Sequence, residues 1–265
     1  MFGRGVTRRG LVAVMNSVPT AAAERFDTSS RSARMLRPLL NTLLPPTPTT
    51  VVVRAGALRG TQLRIDPRSE KFYWTGLYEV SVQEALVRLL RPGMTVWDVG
   101  AHIGFFSAFA ARLVRPGGRV HAFEPLTANR VRLLENIGLN RLEEVEVHST
   151  ALADRAGAKR LYGHPSTSMW SLVERAAAER VEVQCLSLDD LLVSGSYGIP
   201  SLIKIDAEGA EVEILRGGLR LAMETKAMLI VEFTDASVLN EARLLLPGHA
   251  FEALSERHWL LQGAA

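Results

Sequence analysis

With 265 residues, 47% of them hydrophobic and 22% charged, the chain has the size and composition of one globular domain with additions. Its net charge of +3 comes from residues 1–40, which hold seven arginines and two acidic residues, while the other 225 residues hold 24 basic and 26 acidic groups. This nearly neutral remainder argues against nucleic-acid binding, and a single cysteine, Cys185, excludes a disulfide framework and a cysteine-based zinc site. No apolar run approaches the ~18 residues of a membrane span. We therefore expect a cytoplasmic protein without an integral membrane segment.

The first part of the chain predicts an extension to the main domain. Residues 1–49 are interpreted as an N-terminal arm, helical in residues 1–44, followed by a proline-rich linker, and residues 50–265 as the main domain. Two short β-like runs around Gly56 and Gly60 predict a β-hairpin. Apolar residues at helical spacing then predict an amphipathic helix that ends at Pro92-Gly93.

From residue 95 onward, strand and helix patterns alternate. Predicted strands are 95–99, 119–123, 145–149, 158–162, 180–186, 202–206 and 228–233, predicted helices are 105–114, 127–137, a start at 211–215 and 237–246, and a closing hairpin covers 251–254 and 258–261. Apolar strands separated by helices predict a doubly wound, mostly parallel α/β sheet covered on both faces. In such sheets ligands bind beyond the carboxyl ends of the strands.

The first of these strands ends in the turn VWDVGAHIGFF, residues 96–106. The dinucleotide fingerprint G-x-G-x-x-G is absent because His102 stands at its second glycine, and the phosphate-binding loop is absent because no lysine follows Gly104. A phosphate prefers bare backbone N–H groups, and a carboxylate beside the turn would repel it. Asp98 therefore favours a ligand with a cationic amino group and hydroxyls.

The next strand ends at Glu124, 20 residues after Gly104. A carboxylate at that position accepts hydrogen bonds from the hydroxyls of a ribose, in NAD-dependent enzymes as well, so it does not discriminate alone. Together with Asp98 it favours S-adenosylmethionine, which combines a ribose, a sulfonium and an amino acid without phosphate.

Five segments carry a resemblance to a known family: TGLYE (75–79), DVGAHIGFFS (98–107), HAFEP (121–125), Leu188-Asp189 and IKIDAEGAE (203–211). They resemble the FkbM family of S-adenosylmethionine-dependent methyltransferases. The resemblance implies a seven-stranded, Rossmann-like class I methyltransferase fold. It also implies O-methylation of a small hydroxylated metabolite such as a sugar, a polyketide or a glycolipid. The chain departs from the family at His102, where asparagine is usual.

The resemblance also implies cofactor contacts. Asp98, Gly100, Ala101 and Gly104 would line the methionine part, Glu124 with Pro125 the ribose, Ser107 and Glu79 the carboxylate or amino ends, and Asp154 the adenine amino group. Two of these residues have a structural alternative. Glu79 fits the start of a helix equally well, and Asp154 fits the start of a turn.

Asp206 and Glu208 are predicted to form the reaction side, because Asp206 ends a buried strand where an unpaired carboxylate would be costly. Capping of the following helix is the structural alternative. Asp206 and Glu232 also suggest a divalent metal site, but no third ligand is evident and no metal is predicted. None of the six histidines stands out as the general base. N- or C-methylation, a nicotinamide-dependent oxidoreductase and a catalytically silent binding protein stay open, as does the oligomeric state, with a homodimer compatible.

Overall fold

The computed structural model describes residues 47–163, residue 172 and residues 179–263. The predicted helical arm and the polar loop with His164 lie outside this described part of the chain. Two compact units divide the chain. The first holds the described residues 47–80 and 134–141, and the second holds the others.

The first unit contains the predicted hairpin. Strand β1 (Thr49–Val52) pairs antiparallel with β2 (Gln62–Ile65), and the short helix α1 (Lys71–Thr75) follows. Two asparagines of residues 134–141 bind the outer backbone of β2: the Arg64 N–H donates to Asn136 Oδ1 at 2.6 Å, and the Gln62 N–H donates to Asn140 Oδ1 at 2.9 Å. These bonds satisfy backbone groups that β1 leaves unpaired.

The remaining elements follow in chain order. They are α2 (Val80–Leu89), β3 (Thr95–Val99), α3 (Phe105–Val114), β4 (Arg119–Phe123), α4 (Thr127–Asn140), β5 (Val145–His148), β6 (Ala151–Leu152), β7 (Gly157–Gly163), β8 (Glu179–Leu186), α5 (Leu188–Ser194), β9 (Leu202–Ile205), α6 (Glu211–Arg216), α7 (Leu219–Glu224), β10 (Met228–Glu232), α8 (Ala236–Leu245), β11 (His249–Ala253) and β12 (His258–Gly263).

Seven strands form the main sheet, in the order β11-β12-β10-β9-β3-β4-β5. Strands β10, β9, β3, β4 and β5 run parallel, while β12 pairs antiparallel with β10 and β11 antiparallel with β12. The predicted doubly wound, mostly parallel α/β fold is confirmed. The chain proceeds from β3 toward β5 on one side and from β9 toward β11 on the other, so the order reverses between β3 and β9. This is where such a sheet binds its ligand.

The strands around this reversal form the centre of the core. All four residues of β9 are buried, as are four of the five in β3, and helix α3 buries eight of its ten residues against the sheet. The indole of Trp97 is fully buried and donates through Nε1 to the Tyr197 carbonyl at 3.3 Å. A strand that is apolar on both faces needs covering layers on both sides, and this burial anchors the residues that follow each strand.

Three features differ from the sequence prediction. Helix α4 does not end at Gly138 but continues to Asn140, because Gly138 keeps a helical backbone and the asparagine bonds to β2 hold the last turn. A second sheet, of order β6-β8-β7, contains the unpredicted two-residue strand β6. Helices α5 and α7 were also not predicted.

A local contact begins α5, and a contact distant in sequence holds α7. Ser187 and Asp190 form a reciprocal capping box at the start of α5. Asp189 accepts from the N–H groups of Leu221 at 2.8 Å and Arg220 at 3.1 Å, and so caps α7. The Leu188-Asp189 pair therefore has a structural role in this chain: Leu188 is buried in the core and Asp189 joins two helices.

No helix in the described residues is long and apolar enough to cross a membrane.

Candidate active site

The site is built at the carboxyl end of β3, where the strand order reverses. Asp98 pairs in register with Lys204 of β9 and with Ala122 of β4, so all three side chains leave the same face of the sheet. Asp98 is only 2% exposed. A carboxylate and a lysine thus lie side by side under the turn that follows β3.

The turn itself depends on two glycines. Gly100 has a φ of 79°, and a Cβ there would lie 1.8 Å from the carbonyl oxygen of Asp206. Gly104 has a φ of 87°, and its Cβ would lie 2.3 Å from Leu133 Cδ1. The left-handed backbone and the lack of space both require glycine. The N–H groups of Gly100 and Ala101 both donate to the Phe123 carbonyl at 3.1 Å, which ties the turn to β4.

Ser107, on helix α3, orients the carboxylate of Asp98. The Ser107 hydroxyl is fully buried in α3 and donates to Asp98 Oδ2 at 2.5 Å. The structure therefore places Ser107 next to the predicted cofactor carboxylate. A direct contact between Ser107 and the cofactor stays a prediction.

Glu124 lies directly after β4, 4% exposed, and receives three N–H donors. The His102 and Leu126 N–H groups donate to its two carboxylate oxygens at 2.9 Å each, and Asn129 Nδ2 donates at 3.3 Å. Burial opposes the charge and raises the pKa of Glu124 to about 7, although these hydrogen bonds favour the ionised form. Pro125 continues the segment, and its carbonyl accepts from Arg130 at 2.8 Å.

His102 lies in the turn after β3 and connects this turn to Glu124, which follows β4. Its backbone, at a φ of 52°, binds Glu124, and its ring is partly buried with Nε2 inaccessible to solvent. Burial is the main cause that lowers the pKa of His102 to about 4, with smaller contributions from the nearby Arg132 and Lys204 that Asp206 opposes. The imidazole is therefore neutral at physiological pH. The sequence singled out His102 as a departure from the family's usual asparagine but did not indicate its role.

Lys204 is the functional residue that sequence reasoning missed. Its side chain is 4% exposed, and Nζ donates to Asp206 Oδ2 at 2.9 Å and lies 4.7 Å from the ring centroid of Phe106. A lysine within an otherwise apolar strand is the signal that could have found it, since a buried ammonium group requires a partner.

Asp206 and Glu232 lie at adjacent strand ends. Burial opposes the charge of Asp206, but Lys204 and a hydrogen bond with Glu232 hold its pKa below its usual range. Glu232 also pairs with Arg257 at 2.9 Å. Because Lys204 and Arg257 supply the positive charge, these contacts give no support to a metal ion between Asp206 and Glu232.

The turn after β9 is held by Glu211, which is 1% exposed. Its Oε1 accepts from the N–H groups of Ala207 and Gly209, both at 3.0 Å. Helix α6 begins at Glu211, and its N-cap residue Ala210 makes no side-chain capping hydrogen bond, so Glu211 stabilises the turn before this helix rather than its first turn. Glu208 occupies the turn with a φ of 52°. Its place on the reaction side stays a prediction.

Two residues predicted to contact the cofactor, Asp154 and Glu79, lie outside the turn that follows β3. Asp154 accepts from Lys159 Nζ at 2.5 Å and pairs with Arg155 at 3.6 Å, and the Lys159 hydrogen bond lowers the pKa of Asp154. Glu79 belongs to the first unit and has a φ of 47° immediately before α2. Adenine contact by Asp154 and cofactor contact by Glu79 stay predictions.

The donor set fits one kind of ligand. Asp98 lies near the end of β3 and Glu124 directly follows the neighbouring strand β4; both carboxylates are buried, and each suits N–H or O–H donors rather than phosphate. Asp98 suits an ammonium group and Glu124 suits ribose hydroxyls. Together with the seven-stranded sheet, this site defines the class of S-adenosylmethionine-dependent methyltransferases with a Rossmann-like fold.

A sequence model of the family described as "Methyltransferase FkbM domain" matches residues 98–253, more than half of the chain. The chain therefore belongs to the FkbM methyltransferase family, as its motifs indicated. It is an S-adenosylmethionine-dependent methyltransferase, and S-adenosylmethionine is its cofactor. This assignment replaces the oxidoreductase and silent-protein alternatives.

Relatives with known names extend the comparison. The chain is 29% identical over 206 residues to the 31-O-demethyl-FK506 methyltransferase FkbM of Streptomyces tacrolimicus, covering 66% of this chain and 78% of that protein. It is 25% identical over 199 residues to the hexuronic acid methyltransferase AglP of Haloferax volcanii, covering 69% and 78%. It is 25% identical over 176 residues to the 2-O-methyltransferase NoeI of Sinorhizobium fredii, covering 59% and 70%. A solved structure of methyltransferase FkbM from Methylobacillus flagellatus is 17% identical with a TM-score of 0.47, covering 92% of this chain and 76% of that one.

Replacing Gly100 by alanine tests the turn. We expect Gly100→Ala to weaken binding of S-adenosylhomocysteine by at least about tenfold, because the new Cβ strains the backbone and pushes Asp206 away. The measurement is calorimetric titration of the folded variant, checked by circular dichroism. Gly248→Ala is the control, since a Cβ there meets nothing within 4 Å. Equal affinity of both variants would contradict the role of the turn.

Glu124 predicts a pH dependence of cofactor affinity. Ribose hydroxyls donate to the ionised carboxylate, so affinity for S-adenosylhomocysteine should rise about tenfold from about pH 6 to about pH 8 as Glu124 loses its proton. Glu124→Gln should bind more weakly and lack this rise, whereas Glu256→Gln, at an exposed position, should keep it.

The same carboxyl group affects folding of the ligand-free protein. A raised pKa in the folded state means that stability is greatest below the ordinary value of 4.5 and is lost as pH rises through about 7. Relative to Glu124→Gln, the wild-type protein should therefore lose stability over this range in chemical denaturation.

For the affinity measurement, an affinity of the wild-type protein for S-adenosylhomocysteine that does not change with pH would argue against an ionised Glu124 at the ribose.

Proposed function

We propose that this protein transfers a methyl group to a hydroxyl oxygen of a small metabolite, most simply a sugar or a polyketide. The names of three relatives support this class of acceptor: a 31-O-demethyl-FK506 methyltransferase, a hexuronic acid methyltransferase and a 2-O-methyltransferase. N- or C-methylation is the alternative that an experiment must distinguish.

One observation carries the proposal from the cofactor turn to the reaction. The Asp206 N–H donates to the Val99 carbonyl at 3.1 Å, and the Asp206 carbonyl packs against Gly100 so closely that no Cβ would fit. The backbone of Asp206 therefore packs directly against the turn that follows β3, the strand that contains Asp98. An acidic side chain at this position lies beside the place where the methionine part of the cofactor is expected.

The state of Asp206 suits the binding of a hydroxyl group. Lys204 keeps the carboxylate ionised, and an ionised carboxylate accepts a strong hydrogen bond from an O–H donor. Because its pKa is low, Asp206 is a weak base. We therefore assign to Asp206 the orientation of the acceptor oxygen and not the removal of the acceptor's proton. Glu208, two residues further in the same turn, is proposed to border the acceptor.

The cofactor supplies a methyl group bound to a positively charged sulfur, which is already electrophilic. The work left to the protein is to align the acceptor oxygen with that methyl group and to exclude water, and such alignment accounts for a large part of a rate enhancement. Asp98 and Glu124 would hold the cofactor on one side of the turn, and Asp206 the acceptor on the other.

The position of methylation tests the proposal. The full chain is incubated with methyl-labelled S-adenosylmethionine and separate panels of hexuronic acids, hexose glycosides, polyketide alcohols and their amino analogues. Mass spectrometry and the methyl chemical shift of each product identify the methylated atom. Methyl ethers at hydroxyl positions of these panels support the proposal, whereas methyl esters alone would place the reaction on a carboxylate and contradict it. Products methylated only on nitrogen or carbon would overturn it.

Replacing Asp206 by asparagine separates acceptor orientation from cofactor binding. We expect Asp206→Asn to lower kcat about 100-fold, as misplacement of a reactant does, while the affinity for S-adenosylhomocysteine changes by less than about threefold. Asp235→Asn is the matched control, because Asp235 caps α8 and asparagine caps equally well. A variant at position 206 that binds cofactor and keeps full kcat would rule out this role.

A further inference from the structure

Two histidines and a glutamate lie close together on β4 and β5, at one side of the main sheet. His121 lies in β4, and Glu146 and His148 lie in β5, where His121 and Glu146 are register partners. Residues two apart on a strand share a face. All three side chains therefore leave the sheet on the same side, and their donor atoms all lie within 4.8 Å of one another.

The distances resemble those between ligands of one metal ion. His121 Nδ1 and His148 Nε2 are 3.1 Å apart, Glu146 Oε2 is 3.7 Å from His121 Nδ1, and Glu146 Oε1 is 4.0 Å from His148 Nε2. Two donors bound to zinc in tetrahedral geometry lie about 3.3 Å apart, since each is about 2.0–2.1 Å from the ion. These two distances involve different oxygens of Glu146, so its exposed side chain must rotate to bring one oxygen close to both nitrogens.

The surroundings hold the imidazoles in place. The His121 ring also bonds the backbone of Tyr197, the kind of outer hydrogen bond that sets the tautomer of a metal-binding histidine. The His148 ring stacks on Phe123 with centroids 4.8 Å apart, and Tyr197 packs edge-on against both imidazoles. His121 is 5% exposed, whereas Glu146 faces solvent. The cluster is thus rigid at its base and open on one side.

This cluster is separate from the cofactor turn. His121 pairs in register with Trp97, the neighbour of Asp98 on β3, so His121 and Asp98 leave opposite faces of the sheet. No residue of the proposed methyl-transfer site belongs to the cluster. Strand β5 is the outer strand on this side of the sheet, with β4 as its sheet partner.

We propose that His121, Glu146 and His148 bind one Zn²⁺ ion, with the fourth coordination position open to solvent. Two imidazoles and a carboxylate are a donor set that zinc accepts, whereas Mg²⁺ and Ca²⁺ prefer oxygen ligands alone. The ion links β4 to the four-residue outer strand β5 and so holds the edge of the sheet. This site does not depend on the proposed acceptor.

Zinc binding is measured on the full chain after treatment with a chelator. Titration with zinc chloride, followed by calorimetry, should show one equivalent bound per chain. Zinc at about 100 times its Kd should raise Tm by about 5–10 °C, because it binds only the folded state. A similar excess of magnesium chloride should leave Tm unchanged.

Three variants locate the ion. Glu146→Gln should weaken zinc affinity by at least about tenfold, and His148→Ala should abolish the binding of one equivalent of zinc per chain. Glu143→Gln is the matched control, an exposed glutamate three positions earlier that should bind zinc like the wild type. The imidazole NMR signals of His121 and His148 should shift on zinc addition in the wild type. Absence of stoichiometric binding, or binding unchanged in both Glu146→Gln and His148→Ala, would overturn the proposal.

Discussion

The buried ion pair between Lys204 and Asp206 is the interaction on which the arrangement of the site depends. Lys204 is 3% exposed in the middle of a core strand, where an ammonium group is tolerated only with a partner. Removal of one member of such a pair costs on the order of 3–5 kcal/mol. The same attraction keeps Asp206 ionised beside the cofactor turn. Folding and the proposed orientation of the acceptor by Asp206 therefore both require this pair.

Three carboxylates at this edge of the sheet have different properties because their neighbours differ. Asp98 receives a serine hydroxyl, Glu124 is deeply buried among N–H donors with only a weaker influence of Arg130, and Asp206 receives an ammonium group. The pKa of Glu124 accordingly rises toward neutrality, while that of Asp206 falls. Spacing along the sequence predicts where such groups lie, but their charge state follows from contacts between strands.

Much of the fold could be predicted because its signals are local. Strands 95–99 and 119–123 and helix 105–114 have the predicted bounds, since uninterrupted apolar runs and turn glycines mark them. Helix α5 begins with a local signal that was missed, the capping box of Ser187 and Asp190, whereas α7 could not be predicted because the distant carboxylate of Asp189 caps it. Lys204 and Glu211 were missed as site residues although their partners lie within the same segment 203–211, because a motif gives the order of residues and not which of them are buried.

The contact between Gly100 and residue 206 involves only backbone atoms of residue 206. The backbone at position 206 therefore supports the turn, while its side chain is held by Lys204. Residue 206 serves two neighbours through separate groups: its carbonyl packs against Gly100, and its carboxylate pairs with the core lysine. A side-chain substitution at this position would therefore disturb the core through Lys204 without changing the backbone atoms that meet Gly100.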